Sequence, residues 1–181
     1  MAKIWPAYEG REPTIGEPWA DLPLTEAIAL LGLRPKHFRS DLSAPPRFGE
    51  ADRNLWYAGF KHIVVEVEAT EANREGWKPG FYLSPVKPKE ASRKLLSHFL
   101  TPALGKDNVV RFALEPTIDS EGRSTHRITV VITPDAVQHI SGEAAMSAIS
   151  TLRENLGGMI GDGTPIVEYA TEAELAADAS P

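Results

Sequence analysis

Cysteine is absent from this sequence of 181 residues. Its absence excludes disulfide bonds, thiolate metal sites and thiol nucleophiles, and it fits a reducing compartment. Long apolar runs are also missing, because the longest one, residues 27–31, is far shorter than the roughly 20 residues that span a bilayer. The first residues lack the apolar stretch of a signal peptide. We therefore expect a cytoplasmic bacterial protein with no membrane partner.

A surplus of positive charge is missing as well. The chain has 19 Lys and Arg residues against 25 Asp and Glu residues, a formal net charge of −6, so it has no general attraction to nucleic acid. The charge is uneven: residues 33–62 hold six basic and three acidic side chains, whereas five acidic side chains and no Lys or Arg follow residue 160. The sequence thus makes nucleic acid a disfavoured partner and predicts an acidic flexible tail at 173–181.

Motifs of catalysis, metal binding and nucleotide binding are also lacking. The five histidines show no metal-ligand spacing such as H-x-H or H-x3-H. The glycine-rich segment 157–163 follows a predicted helix, not a strand, and lacks the Lys-Ser/Thr pair of a phosphate-binding loop. We therefore expect no catalytic residues, no cofactor and no metal, and the sequence favours a non-enzymatic protein over an enzyme.

Aromatic residues and prolines are abundant at the beginning of the chain. All four tryptophans lie within the first 77 residues, and seven of the 15 prolines precede position 60. This part shows no strand pattern. We predict that residues 1–58 form an N-terminal arm with short helices that packs on the rest of the protein through its rings.

Residues 59–172 show more regular strand and helix patterns, and we predict that they form the core domain. Strands are predicted at 62–69, 109–115, 124–133 and 165–170, with a short extra strand at 81–83. One amphipathic helix begins at Pro88 and ends near Gly105, and a second is capped by Ser141 and ended by Gly157. The order β-α-β-β-α-β predicts an α+β fold with a ferredoxin-like split βαβ core, in which two helices cover one face of an antiparallel sheet.

The hairpin at 109–133 has one favoured register. Pairing Phe112 with Val130 and Leu114 with Ile128 places apolar side chains together, and a slip of one residue would lose this match. One face of the sheet, which includes Val110, then belongs under the helices. The other face mixes charged with apolar residues, so we expect the arm, a second subunit or a ligand to cover it.

The densest predicted charged cluster lies on that mixed face. Its members are Glu66, Glu68, Arg111, Glu115 and Arg127. One interpretation is a small-molecule or hydrolytic site on a rigid sheet. The favoured interpretation is cross-strand ion pairing, with Glu115 beside Arg127.

Aromatic residues near the end of the arm are a second candidate site. Trp56, Tyr57 and Trp77 are predicted to line a pocket or a peptide groove, or to belong to the core. The sequence does not separate these two roles.

Residues 25–42 suggest a third candidate. Thr25 is predicted to cap a helix that ends at residue 31, Gly32 to make a turn, and residues 35–42 to form a second short helix. In outline this segment resembles the helix-turn-helix of excisionase-like and MerR-like DNA-binding proteins. The resemblance implies that the second helix reads the major groove. The residues on or near that helix are Arg34, Lys36, His37 and Arg39.

The leading hypothesis is a non-enzymatic protein-binding or accessory module, with a protein partner or a second copy of itself. The mixed sheet face, the tryptophan-rich arm and the lack of catalytic spacing support it. A DNA-binding regulator and a small-molecule site are the alternatives.

Overall fold

The structure is a computed structural model that describes residues 1–5, 18–40, 62–69, 76–160 and 163–178, without the side chains of residues 39 and 40. The chain divides into two compact units, residues 1–91 and 92–181, and the division falls inside a helix. Among the described residues, each unit contains one β-sheet as well as helix. The predicted α+β class is therefore confirmed. The predicted arm, core and tail stay a prediction, because much of the arm lies outside the described residues.

The first unit contains a five-stranded antiparallel sheet in the order β2-β1-β4-β5-β3. Its described elements are β1 (Ala2–Trp5), β2 (Ala20–Leu22), α1 (Leu24–Leu31), β3 (Phe38–Ser40), β4 (Val64–Val67) and β5 (Gly80–Leu83). On the central strand β4, Val64 and Val65 are both fully buried although they point to opposite faces. The β-branched sequence of β4 suits a strand that is covered on both sides.

Helix α1 ends where the sequence predicts. Gly32 follows it in the left-handed conformation (φ 61°), which favours glycine at a helix C-terminus. The Ser84 hydroxyl, just after β5, donates to the Leu31 carbonyl at 3.0 Å and so ties the helix to the sheet. The predicted start is wrong, because Pro23 and not Thr25 occupies the N-cap position. The helix already includes Leu24, whose side chain is buried in the core.

The second helix predicted at 35–42 is wrong in its described part. Pro35–His37 form a single 3-10 turn, and Phe38–Ser40 then pair with β5 as strand β3. The Phe38 ring packs edge-on against Tyr82, with 5.3 Å between ring centroids. This tertiary contact outweighs the weak local helical pattern.

The absence of strands predicted for residues 1–58 is also wrong, since β1, β2 and β3 lie there. These strands have only three or four residues, too few to show a clear alternation of apolar and polar side chains. They lie in one sheet with β4 and β5, whereas the later strands form a separate sheet. The ferredoxin-like topology, which needs 62–69 in one sheet with 109–133, is therefore not confirmed.

The second unit contains the three-stranded sheet β6-β7-β8. The elements from the division onward are α2 (Pro88–Leu104), β6 (Val109–Ile118), β7 (Ser124–Ile132), α3 (Gly142–Asn155), α4 (Gly157–Ile160), β8 (Ile166–Thr171) and α5 (Glu172–Asp178). β6 and β7 are antiparallel, and β7 and β8 are parallel. Two parallel strands need a crossover connection, which contains α3.

Three of the helix limits predicted for this unit are confirmed, whereas the fourth, Gly157, lies two residues after the end of α3 and begins α4. α2 begins at Pro88 and ends before Gly105, whose φ of 86° stops the helix. Ser141 caps α3, because its Oγ accepts a hydrogen bond from the Ala144 amide at 3.1 Å.

The predicted register of the hairpin is also confirmed. Phe112 pairs with Val130, and Leu114 pairs with Ile128. Apolar complementarity was therefore sufficient to align these two strands.

Val110 departs from its predicted position under the helices, since it is 51% exposed. The register of the hairpin shifts between Val109 and Arg111. Such a β-bulge adds one residue to a strand and changes the side of the sheet to which the side chain at the bulge points. The bulge therefore accounts for the exposure of Val110.

Candidate functional site

The acidic residues of the first sheet are engaged by the neighbouring strand. Glu66 on β4 accepts a hydrogen bond from Trp5 Nε1 at 3.1 Å. Glu68 Oε1 lies 3.3 Å from Lys3 Nζ. This hydrogen bond lowers the pKa of Glu68 and raises the pKa of Lys3. Both carboxylates thus help to hold β1 beside β4.

Arg111 on β6 makes a bidentate ion pair with Glu172, the first residue of α5. Its Nε donates to Oε1 at 2.9 Å, and a second guanidinium nitrogen donates to Oε2 at 3.1 Å. These hydrogen bonds lower the pKa of Glu172. Because Arg111 lies opposite Val131, which lies opposite Ala170, the ion pair reaches across β7. It therefore links all three strands.

Arg127 on β7 turns toward the other neighbouring strand. Its Nε lies 3.3 Å from Oε1 of Glu168 on β8. Glu115 is exposed and faces Arg127 in the backbone register, but the ion pair predicted between them is replaced by Arg127–Glu168. Both side chains of that pair are about half exposed, so it adds little to stability.

The predicted charged cluster is consequently divided. Glu66 and Glu68 belong to the first sheet, whereas Arg111, Glu115 and Arg127 belong to the second. The sequence patterns identified the strands correctly but not their sheets. No sheet of the described residues brings all five side chains onto one face.

Trp77 belongs to an aromatic cluster around Tyr82. Its ring centroid lies 5.0 Å from that of Tyr82, on which Phe38 also packs. Tyr82 is fully buried; its hydroxyl donates to the Lys78 carbonyl at 2.7 Å and accepts from the Lys78 amide at 2.8 Å. Burial raises the pKa of Tyr82. Two other predicted aromatic members lie outside the described residues: Trp56 and Tyr57.

The residues predicted to read DNA surround the 3-10 turn. Arg34 and Lys36 are exposed, and His37 is half-buried with its Nδ1 accepting a hydrogen bond from the Arg34 amide at 3.1 Å. Arg39 lies within β3. Residues 18–40 therefore offer α1 and one short turn, without the second helix that a helix-turn-helix requires.

Asp119, which the sequence analysis missed, holds the turn between β6 and β7. Its Oδ1 accepts hydrogen bonds from the amides of Glu121 and Arg123, both at 2.9 Å. Its Oδ2 accepts from Arg123 Nε at 2.9 Å and from the Thr164 amide at 3.1 Å. The carboxylate thus joins the hairpin turn to the segment that leads into β8.

The surroundings of Asp119 indicate a structural role. Its side chain is buried, and the hydrogen bonds it accepts, above all that from the Arg123 amide, hold its pKa well below the ordinary range. Gly163 lies so close that an added Cβ would be 3.0 Å from Oδ2. Aspartate is common at the start of such turns, so its position before Gly122 was the signal available in the sequence.

The outer strand β6 of the second sheet is a candidate binding surface. β6 spans ten residues and pairs with β7 and with no other described strand. We call its outward side the β6 edge. Near its two ends, Val110 and Ile118 are 51% and 67% exposed. A long edge strand presents a row of backbone donors and acceptors that another strand can join.

Comparison with known proteins gives no match: no family model, no curated protein and no solved structure matches the chain. In the part of the chain that the structure describes, no group of three His, Asp or Glu side chains is placed to hold a metal ion. No helix of that part has the length and apolar character needed to cross a membrane.

Proposed function

We propose that the chain is a non-enzymatic protein-binding module that binds its partner by strand addition at the β6 edge. The observation that carries this proposal is the length of β6, ten residues that pair with β7 alone among the described strands. In strand addition, main-chain hydrogen bonds supply affinity and alternate side chains supply selectivity.

The exposed apolar residues of β6 support this mode of binding. Val110 and Ile118 are large, and both are more than half exposed. A strand added along β6 would remove part of their surface from water, which stabilises a complex by about 25 cal/mol per Å² of apolar area.

The charged residues favour binding over catalysis. Arg111 and Arg127 are each held in an ion pair within the second sheet, and Glu66 and Glu68 are engaged by β1. A general acid or base must direct its own proton donor or acceptor toward a substrate. The carboxylates of Glu66 and Glu68 are directed toward other side chains instead.

The two alternatives have less support. DNA binding through residues 25–42 requires a recognition helix, and residues 35–40 instead form a 3-10 turn and a strand. A small-molecule site requires the charged residues to converge, and they are divided between two sheets.

Site-specific photo-crosslinking tests the proposal. A benzophenone side chain replaces Val110 or Ile118 in the full chain, in the cells that make it. Val137 and Met146 are matched controls, because they are 61% and 63% exposed and lie outside β6. Identifiable protein adducts are expected at the two β6 positions and not at the two controls.

Two results would contradict strand addition at this edge. One is equal adduct yield at all four positions, which would indicate unspecific collisions. The other is the absence of adducts at both β6 positions.

A further inference from the structure

The centre of β6 has the same pattern of charged and apolar residues in both directions, with opposite charges at its two ends. The residues are Arg111, Phe112, Ala113, Leu114 and Glu115. A basic and an acidic side chain lie at the two ends, two apolar side chains lie inside them, and a small residue is central. Such a segment is complementary to an antiparallel copy of itself.

Pro116 indicates which backbone groups of this segment point outward. Proline has no N–H, and strands accept it where its nitrogen faces away from the neighbouring strand. The direction of the backbone groups alternates along a strand. Phe112 and Leu114 therefore direct their N–H and C=O groups away from β7, on the same side as the nitrogen and C=O of Pro116.

We infer that the strand added at the β6 edge is β6 of a second copy of this chain, antiparallel about a two-fold axis at Ala113. This inference rests on the proposed function, since it names the partner of the same edge. In this register Arg111 faces Glu115 of the second copy, and Phe112 faces Leu114 of the second copy. Opposite charges directly across a strand pair are favourable.

The charged groups are suited to this contact. Arg111 uses its Nε and one terminal nitrogen for Glu172, and a guanidinium has five N–H donors. Donors thus remain for a second carboxylate. Glu115 is exposed, and the guanidinium nearest to it on β7, Arg127, pairs with Glu168.

The opposite face is also complementary. Leu114 is half-buried and pairs with Ile128 in its own sheet, and Phe112 pairs with Val130. The proposed register joins the two pairs into one apolar row that crosses both copies. Burial of Leu114 would then increase.

Neighbouring registers lose the charge match. With the axis at Phe112, Arg111 would face Ala113 and Glu115 would face Val109. With the axis at Leu114, Arg111 would face Thr117. Only the axis at Ala113 places Arg111 opposite Glu115.

The ends of the segment limit the pairing. In this register Pro116 faces Val110 of the second copy, where the bulge disrupts β6. Proline and bulges are common devices that stop a strand from pairing further. The result is a short, closed two-fold contact instead of an open fibre.

A disulfide test reports the register directly, because the chain has no cysteine of its own. Ala113→Cys places two thiols across the axis, where facing Cα atoms are about 4.5 Å apart, within disulfide reach. Thr117→Cys is the matched control on the same strand and face, since its two copies would lie roughly 27 Å apart. Mild oxidation is expected to convert the Ala113→Cys chain to covalent dimers and to leave the Thr117→Cys chain monomeric.

Charge reversal reports the contact between Arg111 and Glu115. Arg111→Glu and Glu115→Arg each place like charges at both symmetric contacts, so each variant alone is expected to self-associate at least about tenfold more weakly than the wild type. An equimolar mixture of the two variants restores both opposite-charge contacts and is expected to recover dimerisation. Glu154→Arg on α3 is the matched control and should dimerise like the wild type. Sedimentation equilibrium measures each dissociation constant, and circular dichroism checks that each variant is folded.

The outcomes separate this inference from the proposed function. A wild-type chain that stays monomeric at high micromolar concentration overturns self-pairing, and adducts from Val110 or Ile118 to a different protein would leave the proposed function standing. A dimer that ignores both charge reversals and does not crosslink through Ala113→Cys uses another surface, which also overturns the inference. A monomer without adducts at β6 overturns both proposals.

Discussion

The two sheets differ most at their outer strands. The first sheet ends in β2 and β3, which have three residues each, whereas the second ends in β8, which has six, and in β6, which has ten. Short outer strands leave few backbone groups for further pairing, and a long one leaves many. The same chain thus protects one sheet by short edges and leaves an edge of the other suited to pairing.

The two sheets also hold their polar groups differently. In the first, Trp5 and Lys3 of β1 engage Glu66 and Glu68, and the amino group of Met1 also contacts Glu68. In the second, Arg111–Glu172 crosses β7, and Asp119 ties a turn to the segment before β8. In the second sheet these polar contacts therefore reach beyond the adjacent strand.

The largest effect is expected from a substitution that tests whether the central strand of the second sheet contributes more to stability than its edge strand. Ile128 is fully buried on β7, so Ile128→Ala should lower the free energy of unfolding by about 2–4 kcal/mol through lost packing. Val110→Ala at the bulge should lower it by less than about 0.5 kcal/mol. Urea unfolding of dilute protein measures both, and equal losses would mean that the edge is packed like the centre.

Gly163→Ala tests the connection that Asp119 makes. The new Cβ would lie 2.9 Å from Thr125 Cβ and 3.0 Å from the Ser124 carbonyl oxygen, and relief of such overlap typically costs about 1–3 kcal/mol. Gly142→Ala is the control, because nothing lies within 4 Å of its added Cβ. If thermal unfolding shows the same small change for both variants, the close approach at Gly163 is not important.

Asp119→Asn should cost less than Gly163→Ala, because an amide retains one oxygen for the Glu121 and Arg123 amides. The folded state lowers the pKa of Asp119 below 3.8, so its contribution is present above that pH and is lost as the pH falls below it. The difference in Tm between wild type and variant should therefore shrink as the pH falls from about 4 to about 2. A constant difference over that range argues against the assigned role.

The smallest effects are expected when one tyrosine of each unit is replaced by phenylalanine and the changes in stability are compared. The Tyr169 hydroxyl is buried without a hydrogen-bond partner among the described residues, so Tyr169→Phe should be neutral or stabilise by up to about 1 kcal/mol. Tyr82→Phe removes two hydrogen bonds with Lys78 and should destabilise by about 1 kcal/mol. Chemical denaturation measures both signs. Destabilisation by Tyr169→Phe would mean that its hydroxyl has a partner in solution.

Local signals in the sequence were sufficient for much of the second unit. Pro88, Gly105 and Ser141 mark helix ends through chemistry that acts within one turn. The pairing of Phe112 with Val130 follows from apolar matching across a short turn. Such features depend on residues that are close together in the chain.

The candidate site was predictable only in part. Arg111 and Glu115 were singled out correctly as outward-facing residues of one strand, but their assignment to one face with Glu66 and Glu68 required a sheet that does not form. Asp119 was overlooked because an aspartate in a turn has the same local sequence pattern whether it binds only its own turn or also a distant segment. The amide of Thr164 is 45 residues away, and local patterns carry no information about it.

The sequence by itself determined the absence of thiol chemistry, the α+β class, the two long helices and the register of the β6–β7 hairpin. Periodicity, capping and turn chemistry decide these features over short distances along the chain. Only the tertiary structure decided that β4 and β5 join β1, β2 and β3, and that β6 is an outer strand. Pairing between distant strands depends on which apolar faces bury one another in the folded protein, so a strand pattern indicates that a strand exists without naming its neighbours.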